Sequence, residues 1–158
     1  KKVIDKDGGL LSFYFDFSEV VDRINKLDHP IEVKKRLVFN NSSHVIDLAF
    51  FIGGIPDEIQ TFHGFEFKWH KSGAVFNGSG ITNKNAYFSY SANWLSPGRW
   101  GLRLFTKNHK LILEPLEKLK TQIKGSFNIS EVELNDQIDE DFKPQEEDHS
   151  NIFKIIFK

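Results

Sequence analysis

Hydrophobic and polar positions alternate over much of this chain, and the breaks in the alternation divide it into elements. The run Leu10-Leu11-Ser12-Phe13-Tyr14-Phe15-Asp16-Phe17 follows the Gly8-Gly9 breaker and sets Phe13, Phe15 and Phe17 on one side, as a strand does. Residues 1–8 are polar, show no strand pattern and read as a lead-in. Ser18-Glu19 predicts a short helix through Leu27 with Ser18 as N-cap. His29-Pro30 ends it, because the residue before proline is pushed out of the helical region. Lys34-Lys35-Arg36 reads as a solvated basic loop.

The next segment predicts a longer helix. Asn40-Asn41-Ser42-Ser43 supplies N-cap residues, and Gly53-Gly54 supplies a stop. Between them His44-Val45-Ile46-Asp47-Leu48-Ala49-Phe50-Phe51-Ile52 is apolar nearly all round, which predicts burial on all sides. Its strongly polar members, His44 and Asp47, are three residues apart and share a face, and Asp47 in the first turn suits the helix dipole.

After Pro56 the period changes to two. Strands are predicted over Glu58–Phe67, Ala74–Ile81, Ala86–Trp94, Trp100–Thr106 and Lys110–Leu113, with Leu116–Ile123 and Phe127–Leu134 as edge strands. The turns between them are short and polar, which predicts an antiparallel meander. The fold class is therefore α+β: a large, mostly antiparallel open sheet with helices on one face. The expected domain spans residues 9–135. Residues 136–158 form an acidic connection followed by the β-prone Ile152-Phe153-Lys154-Ile155-Ile156-Phe157.

Charge and composition narrow the function. Twenty-one basic against 22 acidic residues leave a formal charge of −1, a poor basis for nucleic-acid binding. No apolar run approaches the roughly 18 residues of a membrane span, and the first residues lack a signal-peptide core. Cysteine is absent, which excludes disulfides, thiolate metal sites and cysteine nucleophiles and suits a cytoplasmic location. The chain contains no Met, an expectation that it is one piece of a longer protein.

Two constellations can carry chemistry. His44 at a helix start can exchange a proton with a hydroxyl or carbonyl near neutral pH; equally, it is a core histidine satisfied by Asp47 or by backbone. With no further ligand in register, a metal is not expected there. The turn Asn93-Trp94-Leu95-Ser96-Pro97-Gly98-Arg99-Trp100 offers stacking surfaces and the Arg99 guanidinium for a sugar or an anion; equally, it is a hairpin whose tryptophans cover the sheet. Gly78-Ser79-Gly80, expected between strands, has no phosphate-loop context.

The segment from Asn40 to Leu48, with the Phe50-Phe51-Ile52-Gly53-Gly54-Ile55-Pro56 exit, resembles the C-terminal domain of the glucose–fructose oxidoreductase / inositol dehydrogenase / MocA (Gfo/Idh/MocA) oxidoreductases. The turn Asn93–Trp100 and Leu113-Glu114-Pro115-Leu116-Glu117 look like a sugar-modifying branch. The resemblance implies an NAD(P)-dependent enzyme whose N-terminal Rossmann domain holds the cofactor and a catalytic Lys in an E-K-P motif. Its C-terminal domain supplies the substrate pocket, a catalytic His and the sheet used for oligomerisation.

By that resemblance His44 matches the catalytic acid/base, and Asn40 stands four residues before it, where many members have Asp. Asn40 cannot ionise and is expected to hydrogen-bond substrate. Asp47 orients His44 or is structural. Lys35 and Arg36 stand where many members have Gly-Gly and suit a phosphate-bearing or nucleotide-linked sugar. Arg99 and Trp94 are further substrate contacts.

The sequence has no G-x-G-x-x-G, no βαβ unit, no E-K-P, and no recognisable closing helix over Asp141–Lys158. The Rossmann half is thus lacking. NAD or NADP is expected in the intact protein but not on this chain alone, which is expected to be inactive. A homo-oligomer is expected through an apolar open sheet face, given 16 Phe. The alternative is a free-standing, non-catalytic carbohydrate- or protein-binding module working through the Trp94–Trp100 surface.

Overall fold

A short N-terminal helix, α1 (Lys2–Lys6), leads into β1 (Ser12–Asp16), then α2 (Val21–Lys26), α3 (Ile31–Lys35), a π-helical turn (Val38–Ser42) and α4 (Ser43–Gly53). Seven strands follow: β2 (Pro56–Gly64), β3 (Val75–Thr82), β4 (Tyr87–Asn93), β5 (Gly101–Phe105), β6 (His109–Leu113), β7 (Leu119–Ile123) and β8 (Ile129–Glu131). This computed structural model describes residues 1–132. The acidic connection and the β-prone C-terminal run lie outside the described residues, as do the last two residues of the expected eighth strand, Glu133 and Leu134.

The eight strands form one sheet in the order β2-β3-β4-β1-β5-β6-β7-β8. The α+β open sheet is as expected, but the simple meander is not. The first strand inserts between β4 and β5, parallel to β4 and antiparallel to β5. A parallel neighbour needs a long crossover, and the chain between β1 and β4 provides one. The aromatic alternation in β1 explains the central place: Phe13, Phe15 and Phe17 are all buried and need cover from both sides.

Helix α4 supplies that cover. Phe50 meets Phe13, Phe15 and Phe88 edge-on, with ring centroids 5.1 to 5.8 Å apart. Burying each such ring contributes roughly 1.5–3 kcal/mol. A Cβ added at Gly53 would overlap the Phe13 ring, so the glycine lets the end of α4 sit directly on β1. Gly54 then ends the helix with φ +95°. The helix is one-sided rather than buried all round. Val45, Ile46, Ala49 and Phe50 are enclosed, while Phe51 is exposed and Leu48 and Ile52 are half-buried.

Other expectations are corrected. Residues 2–6 are helical, and Lys34-Lys35 lie in α3 rather than in a loop. Ser18 does not cap α2, which starts at Val21; its Oγ accepts the Asn93 N–H at 2.9 Å. Asn40–Ser43 do not cap α4, because the π turn runs into it without a break. Asp47 is accordingly the fifth residue of α4, beyond its first turn. Strand β2 stops at Gly64, where Phe65 takes φ +55° and breaks the ladder. Gly78-Ser79-Gly80 lies inside β3, with both glycines against the Tyr90 and Phe88 rings of the neighbouring strand.

The sheet face away from α4 is not a continuous apolar surface. Cross-strand register lines up Asn77 with Ser91, Ser79 with Ser89 and Tyr14 with Ser89. Tyr87 and Phe62 are exposed apolar members among hydroxyls and amides. The phenylalanines of β1 and β4 went to the other side.

Candidate functional site

The site is built where β1, the π turn, α4 and the β4–β5 connection meet. After Phe17 the chain turns away from the sheet and places Glu19 inside, 7% exposed. A buried carboxylate must find donors, and three reach it. Ser42 Oγ donates at 2.6 Å and Asn41 Nδ2 at 3.0 Å, both from the π turn. Trp100 Nε1 donates at 3.1 Å from the far end of the β4–β5 connection. Burial pushes the Glu19 carboxyl above its ordinary range, and the bonds from Ser42, Trp100 and Asn41 oppose that rise.

His44 stands two residues beyond Ser42, on the exposed side of α4. Its imidazole lies beside the Trp100 indole, with ring centroids 6.2 Å apart and a tilt of 53°. Asp47 is half-buried one turn further on. The arrangement pairs an accessible imidazole, able to take or return a proton, with a half-buried indole held by its N–H. Among the described residues no group of three or more His, Asp or Glu could hold a metal ion.

The other expected site residues are dispersed around this centre. Asn40 is exposed; its Nδ2 donates to the Val33 carbonyl at 3.3 Å, and with Asn41 it lines a cavity of about 190 Å³ against α2 and α3. Lys35 pairs with Glu32 at 2.7 Å on the exposed side of α3, and Arg36 ends that helix, also exposed. Arg99 pairs with Glu117 at 3.2 Å. It lines a separate cavity of about 410 Å³ with Tyr14, Asp16, Trp100, Arg103 and Glu114, a set that does not include His44.

Trp94 is corrected as a substrate contact. It is 3% exposed, donates Nε1 to the Phe17 carbonyl at 3.3 Å, and packs against His70 and Phe76. Of the two tryptophans flanking the turn, Trp100 is the one beside His44. Glu19 was missed in the sequence, as was the bond from Trp100 to it that sets the indole beside His44. The signal was present: an acid lying, with Ser18, between the apolar Phe17 and the Val20-Val21 pair, with no basic residue until Arg23.

No protein-family model matches the sequence, and no curated protein does. Solved structures do match the fold. An apo levoglucosan dehydrogenase superposes with a TM-score of 0.63 at 13% identity, over 84% of this chain and 43% of that one. A UDP-N-acetylglucosamine 3-dehydrogenase from Acidithiobacillus ferrooxidans gives 0.60 at 10% identity, over 84% and 42%. An NAD-binding oxidoreductase from Klebsiella pneumoniae gives 0.62 at 14%, again over 84% and 42%. This chain thus spans less than half the length of the structures it matches, and it shares with them the fold of a domain found in sugar and sugar-nucleotide dehydrogenases.

Proposed function

We propose that this chain is the substrate-binding and oligomerisation domain of an NAD(P)-dependent oxidoreductase of the Gfo/Idh/MocA kind, acting on a hydroxyl or carbonyl of a sugar or sugar nucleotide. The observation that carries the reading is His44: an exposed imidazole on the helix that covers a dehydrogenase-type sheet, next to the Trp100 indole. His44 takes the proton from the substrate hydroxyl in oxidation and returns it to the carbonyl in reduction. Trp100 supplies a flat wall for a sugar ring. Asn40, on the rim, hydrogen-bonds substrate. Lys35, Arg36 and Arg99 are exposed cations suited to a phosphate-bearing substituent, and Asp47 supports His44 from the next turn.

Two features argue that a dinucleotide is held elsewhere. The sheet has one parallel pair, β1 with β4, and the sequence has no glycine-rich fingerprint between a strand and a helix. In this proposal the nicotinamide cofactor is held outside this chain, and no step here passes through it. The open sheet face is the oligomerisation surface, with Tyr14, Tyr87 and Phe62 set among serines and asparagines. A free-standing carbohydrate module loses one of its two stacking surfaces, because Trp94 is enclosed.

The test is turnover by the full gene product with NAD⁺ or NADP⁺ and a panel of sugars and nucleotide sugars. His44→Ala is expected to lower the rate by about 10²–10⁴. Equal turnover per folded molecule would place His44 among structural residues and defeat the proposal.

A further inference from the structure

Three consecutive residues after β1 hold the whole β4–β5 connection. The Phe17 carbonyl accepts the Trp94 indole N–H, Ser18 Oγ accepts the Asn93 amide, and Glu19 Oε1 accepts the Trp100 indole N–H. Both ends of the connection are therefore tied to one short stretch of chain some 75 to 81 residues away in sequence. The Gly98 backbone also passes so close to Ser18 that an added Cβ would meet its side chain at 2.7 Å.

Glu19 does more than its two predecessors, because it also binds the π turn. A turn closed by i→i+5 bonds narrows the angle between successive side chains, so Asn41 and Ser42 both reach the same carboxylate. One buried group thus ties the element that begins at Val38 and leads to His44 to the indole that faces His44. An apolar side chain of similar size would fill the space without the desolvation cost of a carboxylate. What it would not do is fix the rotation of the indole or the place of the π turn.

We propose that Glu19 is a positioning residue of the site: its carboxylate locks the Trp100 indole and the π turn together, so that the Trp100 ring and the His44 imidazole present one fixed surface. The inference rests on His44 as the working residue for its functional meaning, but it is measured separately. The His44→Ala assay decides that reading; the spectra below decide this one.

The experiment uses ¹H–¹⁵N NMR on the 158-residue chain, with the Trp100 indole resonance identified by its disappearance in Trp100→Phe. In the native chain the Trp100 Nε1–H is expected to exchange slowly with solvent and to show nuclear Overhauser contacts between the Trp100 and His44 rings. Glu19→Leu is expected to shift that indole resonance, speed its exchange and abolish the contacts, while the Trp94 indole, bonded to Phe17, stays in place. Glu19→Gln keeps one acceptor oxygen and is expected to restore the ring contacts. Unchanged ring contacts in folded Glu19→Leu would overturn the proposal. So would an indole that exchanges as fast as free tryptophan in the native chain, a reading that needs no variant to fold.

Discussion

Two carboxylates in this protein are shifted in opposite directions, and their consequences for stability have opposite signs. Glu19 is raised above its ordinary value of 4.5, mainly by burial. Its contribution is fully present below pH 4.5 and is lost as pH rises through the raised value. Asp7 lies well below its ordinary 3.8 because His109 Nδ1, Thr106 Oγ1 and Asn108 Nδ2 bond its oxygens. Its contribution is present above pH 3.8 and is lost as pH falls below that value. Urea midpoints measured from pH 3 to 8 are expected to show both effects. Glu19→Gln gains on the native chain as pH rises from 4 to 7; Asp7→Asn loses to it at pH 7, and that gap begins to narrow below pH 3.8. Parallel curves for either variant would remove the carboxylate concerned from the account. Gly53→Ala, which drives a methyl into the Phe13 ring, is expected to cost about 1–3 kcal/mol in the same titration.

At the scale of elements, the strands were legible and the turns of helix were not. The period-two pattern and the polar turns located all seven strands after Pro56 to within a few residues, although only the inner strands bury one face and β8 is exposed throughout. Short helices carry no such signal. Helix α1 has five residues and one buried side chain, Ile4. What holds it is Asp7, whose partners lie 99 to 102 residues away on the β5–β6 turn. Asp7→Asn is therefore expected to speed amide exchange in the last turn of α1 and leave β1 protected. The π turn was hidden for a related reason. Asn40–Ser43 has the composition of a cap, and nothing local says that Asn41 and Ser42 answer instead to Glu19, 22 and 23 residues earlier. For the site, His44 and its helix were legible, whereas Trp94 and Trp100 look alike in sequence. Only the fold shows that one indole points to a backbone carbonyl in the core and the other to a carboxylate beside His44.

At the scale of the molecule, the open sheet face is the surface proposed for oligomerisation. Its exposed aromatics are of the kind that anchor interfaces, whereas the serines around them are a residue type interfaces use sparingly. Tyr87, 65% exposed at the start of β4, is the best-placed anchor. Sedimentation of the native chain is expected to show an oligomer at high micromolar concentration, and Tyr87→Arg is expected to shift it towards monomer. A native monomer under those conditions would count against the proposed surface.

The central position of β1 also sets a timetable. The second strand to the sheet's middle, β4, begins 75 residues after β1 does, and the other neighbour, β5, later still. Contacts of such long sequence separation close slowly, since the intervening loop must be ordered first. As the polypeptide leaves the ribosome, Phe13, Phe15 and Phe17 emerge well before the strands that flank them in the sheet. During that interval the strand that will become the best-protected part of the protein is its most adhesive segment. Nascent chains halted before Gly101 should accordingly engage hydrophobic-binding chaperones through this strand, and chains extended past Leu113 should release them.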